Sequence, residues 1–237
     1  MGRTCVITGA SQGIGRATAV RLSREPDIEN LVLIARNPDG LEATKAEMEA
    51  GRSIKLVPFD LAELERIPGL VREIHDEFGS IDALLNIAGY AEPRSLLDTT
   101  AKNLINTYST NVFAMLLLIR EVVSFMQGRP AKILNVASTA GTTARPGWVA
   151  YASSKAAVVS LSQTLSEELA GTGIKIYTIS PGRTATELRR KLAPEEDPDT
   201  IMQPSTVADV IAFLLSDAER TLDGQNITVR ESFGQPR

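Results

Sequence analysis

Tyr151 and Lys155 stand four residues apart in the stretch YASSK, and Ser138 precedes the tyrosine by thirteen positions. Residues i and i+4 share a face of a helix, so a helical stretch here brings a phenol and an ammonium to one site. A free phenol loses its proton near pH ~10, and a cation within a few ångströms favours the phenolate and lowers that value. Tyr151 would then serve as a general acid or base in a chain whose single histidine is His75. The plainer alternative is an ordinary helix N-terminus with an exposed lysine, and a pentapeptide alone does not separate the two. His75 sits among the charges of REIHDEF and reads as an exposed residue near a helix end.

Such a site needs a frame. Short apolar runs recur at 4–8, 31–35, 54–59, 82–86, 132–138, 174–180 and 226–229, which makes seven strand candidates. Between them, apolar spacings of three and four mark helices over Ile14–Leu22, Leu70–Phe78, Leu104–Met126, Ala156–Leu169 and Val207–Leu215. Strands alternating with helices imply βαβ units, hence an α/β protein whose parallel sheet is covered on both faces. Pro68-Gly69 should start or interrupt the third helix. Pro194, Pro198 and Pro204 punctuate an acidic stretch within 183–205, a long excursion from the sheet of the kind that forms lids.

The run TGASQGIG places Gly9, Gly13 and Gly15 directly after the first strand and into the first helix, with Ser11, Gln12 and Ile14 between them. Glycines there let the backbone turn sharply and approach a pyrophosphate, and the helix N-terminus offers unpaired N–H groups. A glycine-rich turn alone could be a tight connection; flanked by a strand and a helix, it reads as a dinucleotide cradle. The ribose contact belongs at the end of the second strand, where an acid suits NAD and an arginine suits the 2′-phosphate of NADP. That strand ends LIARN, with Ala35 in place of the acid and Arg36 and Asn37 following, which favours NADP(H) over NAD(H). Asp39 is a rival acid, Arg36 could be a solvated loop charge, and Gln12 stands where some NADP enzymes carry Lys or Arg.

Composition narrows the classes further. With 43% hydrophobic and 23% charged residues and no linker tract, residues 1–237 should form one globular domain. A net charge of -4 gives no electrostatic reason to expect nucleic acid. Cys5 is the single cysteine, so no intrachain disulfide can form, and one Cys with one His argues against a zinc site; no metal is expected. The apolar stretch in MGRTCVITG is only a few residues long, and Val6 stands where a myristoylation signal wants Ser or Thr. Neither a signal peptide nor a membrane span is expected, and the cytoplasm is the expected location.

Taken in order, these pieces resemble the short-chain dehydrogenase/reductase family over essentially the whole chain. The motifs are Thr8-Gly9-x3-Gly13-x-Gly15, Asp60 after the third strand, NIAG at 86–89, Asn111, Ser138, Tyr151-x3-Lys155 and PGRTAT at 181–186. The resemblance implies a doubly wound, seven-stranded parallel sheet of Rossmann-like form, with the site outside the carboxyl ends of its strands. It implies that Asp60, with Leu61 beside it, meets the adenine, and that Asn86, Ala88 and Gly89 pass beside the adenosine ribose, Asn86 also steadying the sheet. Pro181, Gly182, Thr184 and Thr186 would hold the nicotinamide carboxamide and pyrophosphate. Ile87 departs from the family's usual Asn, Arg183 replaces an apolar residue, and the C-terminal VRESFGQPR lacks the usual Asp-Gly-Gly.

By the same resemblance, a carbonyl oxygen accepts hydrogen bonds from Ser138 and Tyr151 while a hydride passes from the nicotinamide to its carbon. Lys155 lowers the tyrosine pKa and grips the nicotinamide ribose, and Asn111 holds a water that links Lys155 to solvent. Taken singly, Ser138 could cap a strand end and Asn111 could bond a neighbouring carbonyl. The implied activity is that of an NADP-dependent carbonyl (ketone) reductase; a 3-oxoacyl thioester reductase and a non-catalytic dinucleotide sensor are the alternatives. Tyr90 and Trp148 could line the pocket, and Arg183, Arg189, Arg190 and Lys191 could meet an anionic group or form a solvated face. Self-association through 101–127 and 152–170 into a homodimer or homotetramer is the family-based expectation.

Overall fold

A computed structural model describes residues 2–231. Seven strands form: β1 (Arg3–Thr8), β2 (Ile28–Ala35), β3 (Ser53–Pro58), β4 (Ala83–Asn86), β5 (Ala131–Val136), β6 (Ile174–Pro181) and β7 (Asn226–Val229). They make one sheet in the order β3-β2-β1-β4-β5-β6-β7, with every pair parallel. Side chains alternate between its faces. Cys5, Ile7, Leu31 and Leu33 pack toward α1 (Gly13–Leu22), α2 (Pro38–Ala46) and α8 (Pro204–Leu215). Val6, Val32 and Ile34 pack toward α3 (Ile67–Phe78), α5 (Ala114–Met126) and α6 (Val149–Glu168). Burial on both faces explains why the strands read as unbroken apolar runs. The winding direction reverses between β1 and β4, and the connections leaving their carboxyl ends part to opposite faces and open a crevice.

The sequence pattern does not mark α2, because NPDG resembles a turn. The Asn37 side chain instead accepts the Gly40 N–H at 3.2 Å, and Pro38 takes the first helical position, where its missing N–H costs nothing. Pro68 likewise starts α3 rather than interrupting it, and Gly79, with φ of 70°, ends it by donating to the His75 carbonyl at 2.7 Å. His75 is not simply exposed: its ring stacks on Phe125 of α5 at 4.0 Å between centroids, far from the crevice.

The helix expected at Leu104–Met126 begins earlier, as α4 (Ala101–Tyr108) capped by Thr100, and passes through a π turn at Ser109–Phe113 into α5. The span Ala101–Met126 is long and apolar enough to cross a membrane, yet Met115, Leu118, Ile119, Val122 and Met126 are buried in the domain core. The excursion 183–205 carries α7 (Glu187–Leu192) and a 3-10 turn at Pro198–Thr200, and a bridge between Thr184 and Met202 closes it into a loop. Of the atypical C-terminal stretch, residues 232–237 lie outside the described residues.

A buried polar chain crosses this frame. Asn86 Nδ2 donates to Asn135 Oδ1 at 2.9 Å, Asn135 Nδ2 donates to Ser162 Oγ at 2.9 Å, and Ser162 donates to the Val158 backbone carbonyl at 2.7 Å, tying β4 through β5 to α6. Asn135 is the shared member, so Asn135→Ala would leave the Asn86 amide buried without a partner. The expected loss is about 2–3 kcal/mol of unfolding free energy, read from urea denaturation; a loss within error of Ser162→Ala would show that the chain contributes little through Asn135.

Candidate active site

The first wall of the crevice is backbone. Thr8 Oγ1 donates to the Leu85 carbonyl at 3.2 Å and accepts the N–H groups of Ile87 and Ala88 at 3.0 and 3.1 Å, so β1 and β4 end on one hydroxyl. A Cβ on Gly9, whose φ is 70°, would come 2.8 Å from the Ala88 Cα, and one on Gly15 would come 2.1 Å from the Gly9 carbonyl oxygen. Nothing larger than glycine fits either place, and the turn stays close enough to α1 for its N-terminus to face the crevice. From the other side, Thr44 of α2 donates to the Ala10 carbonyl at 2.8 Å, which fastens α2 to the same turn.

The crevice has a volume of about 890 Å³. Ala35, Arg36, Asn37, Phe59, Asp60 and Leu61 line one end; Gly9, Ser11, Gln12, Gly13, Ile14 and Gly15 line the middle. Ala88 and Gly89 lead to Ser138, Tyr151 and Lys155 at the other end, with Pro181, Gly182, Thr184 and Thr186 along the remaining wall. Arg36 is exposed, its Nη1 4.0 Å from Asp60 Oδ2, while Asp60 Oδ1 accepts the Ala62 N–H at 3.0 Å. Asp39, the rival acid, is absent from the wall.

Two expected site residues are placed differently. Asn86 does not line the crevice, because its side chain turns into the sheet toward Asn135. Asn111, in the π turn, is also behind the wall. Its Oδ1 accepts the Tyr90 N–H at 2.7 Å, and its Nδ2 donates to the Tyr90 carbonyl and to Ser154 Oγ, each at 2.9 Å. Ser154 donates in turn to the Tyr151 carbonyl at 2.7 Å. Both Asn111 Nδ2 hydrogens are therefore occupied in clamping Tyr90 and α6, while its Oδ1 keeps a second lone pair.

Ser138 accepts the Ala140 N–H at 3.1 Å and so caps the 3-10 turn Thr139–Gly141. That turn presses on α6: a Cβ on Gly141 would lie 2.8 Å from the backbone of Lys155 and Ala156. The close approach brings Ser138 beside Tyr151, which is buried with Trp148 edge-on at 6.2 Å between ring centroids. Burial raises the Tyr151 pKa, and the Ser138 hydroxyl and the Arg189 charge pull weakly the other way. The Lys155 ammonium, 6.0 Å from the Tyr151 ring centroid, donates to the Val136 carbonyl at 2.7 Å. Burial brings its own pKa down to about 8. The two side chains share a face as their spacing predicts, and burial raises the affinity of the phenol for its proton while lowering that of the ammonium.

Over this end lies the excursion. Arg189 stacks on Trp148, 5.7 Å from the ring centroid, and donates from Nη2 to Glu196 at 2.8 Å. Arg183 reaches the same carboxylate at 3.2 Å, and the Glu196 pKa is lowered chiefly by its bond to Arg189. Arg190 pairs with Glu187 and lies outside the crevice wall, whereas Arg145 and Lys191 belong to it. Tyr90 and Trp148 line the pocket as expected, and the Tyr90 hydroxyl donates to Glu92 at 2.9 Å. Thr44, Gly141, Ser154 and Glu196 escape a reading of the sequence. Only Ser154, inside YASSK, stands where a motif could have flagged it.

Comparison with known proteins extends the pattern. Residues 3–197 match the family described as short chain dehydrogenase. An NADP-dependent 3-hydroxy acid dehydrogenase of Schizosaccharomyces pombe is 31% identical over 233 residues, covering 93% of this chain and 90% of that protein. Among solved structures, a short chain dehydrogenase from Burkholderia cenocepacia in complex with NADP superposes with a TM-score of 0.88 at 27% identity, covering 97% of each chain. A 3-ketoacyl-(acyl-carrier-protein) reductase from Brucella melitensis complexed with NADH does so with a TM-score of 0.87 at 26% identity, covering 96% of each. Sequence and fold agree along nearly the full length, and the protein is a member of the short-chain dehydrogenase/reductase family of oxidoreductases.

Proposed function

We propose that the protein reduces a carbonyl compound to an alcohol using NADPH, with Tyr151 as the proton donor. The observation that carries this reading is the convergence of a protonated Tyr151, Ser138 and Lys155 at the end of the crevice opposite Arg36. The residues fit a dinucleotide. The glycine turn keeps side chains away from the N–H groups of α1. Arg36 supplies a guanidinium at the ribose end, with Asn37 beside it and Asp60 and Leu61 where an adenine would lie. Lys155 makes one hydrogen bond of the three open to it, leaving two for ribose hydroxyls.

When bound, the nicotinamide cofactor supplies the hydride that the carbonyl carbon accepts. Ser138 Oγ already accepts from Ala140, so its own proton is free to donate to the carbonyl oxygen. Tyr151 gives its proton to the same oxygen as alkoxide charge develops, and burial keeps the phenol in the protonated state that this step requires. Asn111, through Ser154, holds the tyrosine's own turn of α6 in place, so its part is positioning. Gly13, Ser11, Gln12 and Ile14 meet the phosphates, and Ala88, Gly89, Pro181, Gly182, Thr184 and Thr186 enclose the middle and the nicotinamide end. A 3-oxoacyl thioester is a second substrate reading, supported by the Brucella reductase. The exposed apolar residues Leu104, Ile105, Phe113 and Val149 support association into a homodimer or homotetramer, and the lone buried Cys5 suits a reducing, cytoplasmic setting.

Three measurements test the reading. NADPH should bind more tightly than NADH by cofactor fluorescence, with Arg36→Ala weakening NADPH selectively by about tenfold; equal binding of both by the wild type would remove the preference. Tyr151→Phe should lower kcat by about 10²–10⁴ with NADPH affinity nearly unchanged, and retained turnover would assign the proton elsewhere; a dinucleotide sensor would bind NADPH and turn over nothing. The third is stability. The folded-state pKa of Lys155, about 8, lies below its unfolded value, so above pH 8 the unfolded chain binds the extra proton and this group adds stability as pH rises toward 10. Without cofactor, the wild type should gain about 2 kcal/mol relative to Lys155→Met between pH 7 and 9.5, and parallel urea curves at both pH values would show that Lys155 is not so destabilised.

A further inference from the structure

The basic residues of the excursion separate by burial. The side chains of Arg183 and Arg190 are 59% and 73% exposed, as a solvated face requires, but that of Arg189 is only 20% exposed. A guanidinium withdrawn from water needs a partner, and Arg189 has half of one. Glu196 takes its Nε and Nη2 and is shared with Arg183, so two guanidinium groups face one carboxylate and one positive charge is left over. The Arg189 Nη1 makes no hydrogen bond among the described residues. Its guanidinium carbon lies 5.7 Å from the centroid of the Trp148 ring, which meets that of Tyr151 edge-on. Lys191 and Arg145 add positive charge to the crevice wall, where Glu187 pairs with Arg190, while Glu196 lies outside that wall.

We infer that the substrate is an oxo acid, whose carboxylate is held by Arg189 while its carbonyl faces Tyr151 and Ser138. This deepens the reductase reading above and rests on it. The two bonds to Glu196 fix the guanidinium beside Trp148, so its free edge is presented to a carboxylate with little loss of side-chain freedom at binding. A neutral carbonyl compound would leave the surplus charge of this half-buried cluster unmatched, and the site would discriminate by charge as well as by shape.

The test uses the full chain with NADPH and NADH, and two probes that differ in one charge: 3-oxobutanoate and its ethyl ester. The acid should have the higher kcat/KM by about tenfold or more. Arg189→Met should lower the acid-to-ester ratio about tenfold, with Arg189→Lys recovering part of it, whereas Glu196→Gln, which frees charge, should keep or raise the ratio. An ester turned over as well as the acid by the wild type would overturn the inference and leave the reductase reading standing. The inference also fails if Glu196→Gln lowers the ratio as far as Arg189→Met, because the pair would then be a staple of the excursion. Turnover of neither probe, with cofactor bound, would count against reduction of such carbonyls and take the inference with it.

Discussion

The bond from the Lys155 ammonium to the Val136 carbonyl, 2.7 Å long and shielded from water, sets the distance between α6 and the end of β5. An ammonium there is costly unless its partner is near, so the helix must approach the strand end closely. That approach is possible because Gly141 lets the turn after β5 rest on the backbone of Lys155 and Ala156. Ser138 begins that turn, and Tyr151 lies one helical turn before Lys155. The relative places of serine, tyrosine and lysine therefore follow from one contact between a helix and a strand end.

Around this contact, polar side chains bind backbone to backbone. Asn111 clamps both backbone polar groups of Tyr90 and reaches Tyr151 through Ser154, Thr8 gathers the ends of β1 and β4, and Thr44 fastens α2 to the glycine turn. None of these bonds needs solvent, and all but the local Ser154–Tyr151 link join segments far apart in the chain. The crevice is thus lined by segments whose positions are set by hydrogen bonds behind them, the arrangement in which a site keeps its geometry before a ligand arrives.

Much of this was legible in the sequence for a physical reason: a strand buried on both faces must be apolar throughout, and a glycine whose Cβ would strike backbone cannot be replaced. The inner strands and the Gly9 and Gly15 positions declare themselves in that way, whereas Gly13 is required by its φ of 55° and the edge strands β3 and β7 are only partly buried. The helix α2 did not, because Asn-Pro-Asp-Gly suits both a turn and a capped helix start, and the contact of Gly40 with Ser11 that favours the helix is tertiary. Asn86 steadies the sheet as expected, but its partner, and those of Asn111 and His75, could not be read from the sequence. Each depends on a partner at least 21 residues away: Asn135 for Asn86, Tyr90 for Asn111 and Phe125 for His75. Spacing predicted that Tyr151 and Lys155 share a face, but it carries no measure of burial, and burial decides their proton affinities.

The Lys155 ammonium also couples proton binding to ligand binding. Buried, and with one carbonyl for a partner, it holds its proton weakly, its pKa brought down to about 8. Any ligand that presents hydroxyl oxygens to the remaining hydrogens raises that affinity, and by reciprocity a charged lysine raises affinity for the ligand. Occupancy of the crevice in mildly alkaline solution is therefore accompanied by proton uptake from the buffer, so its binding enthalpy includes a buffer-dependent ionisation term.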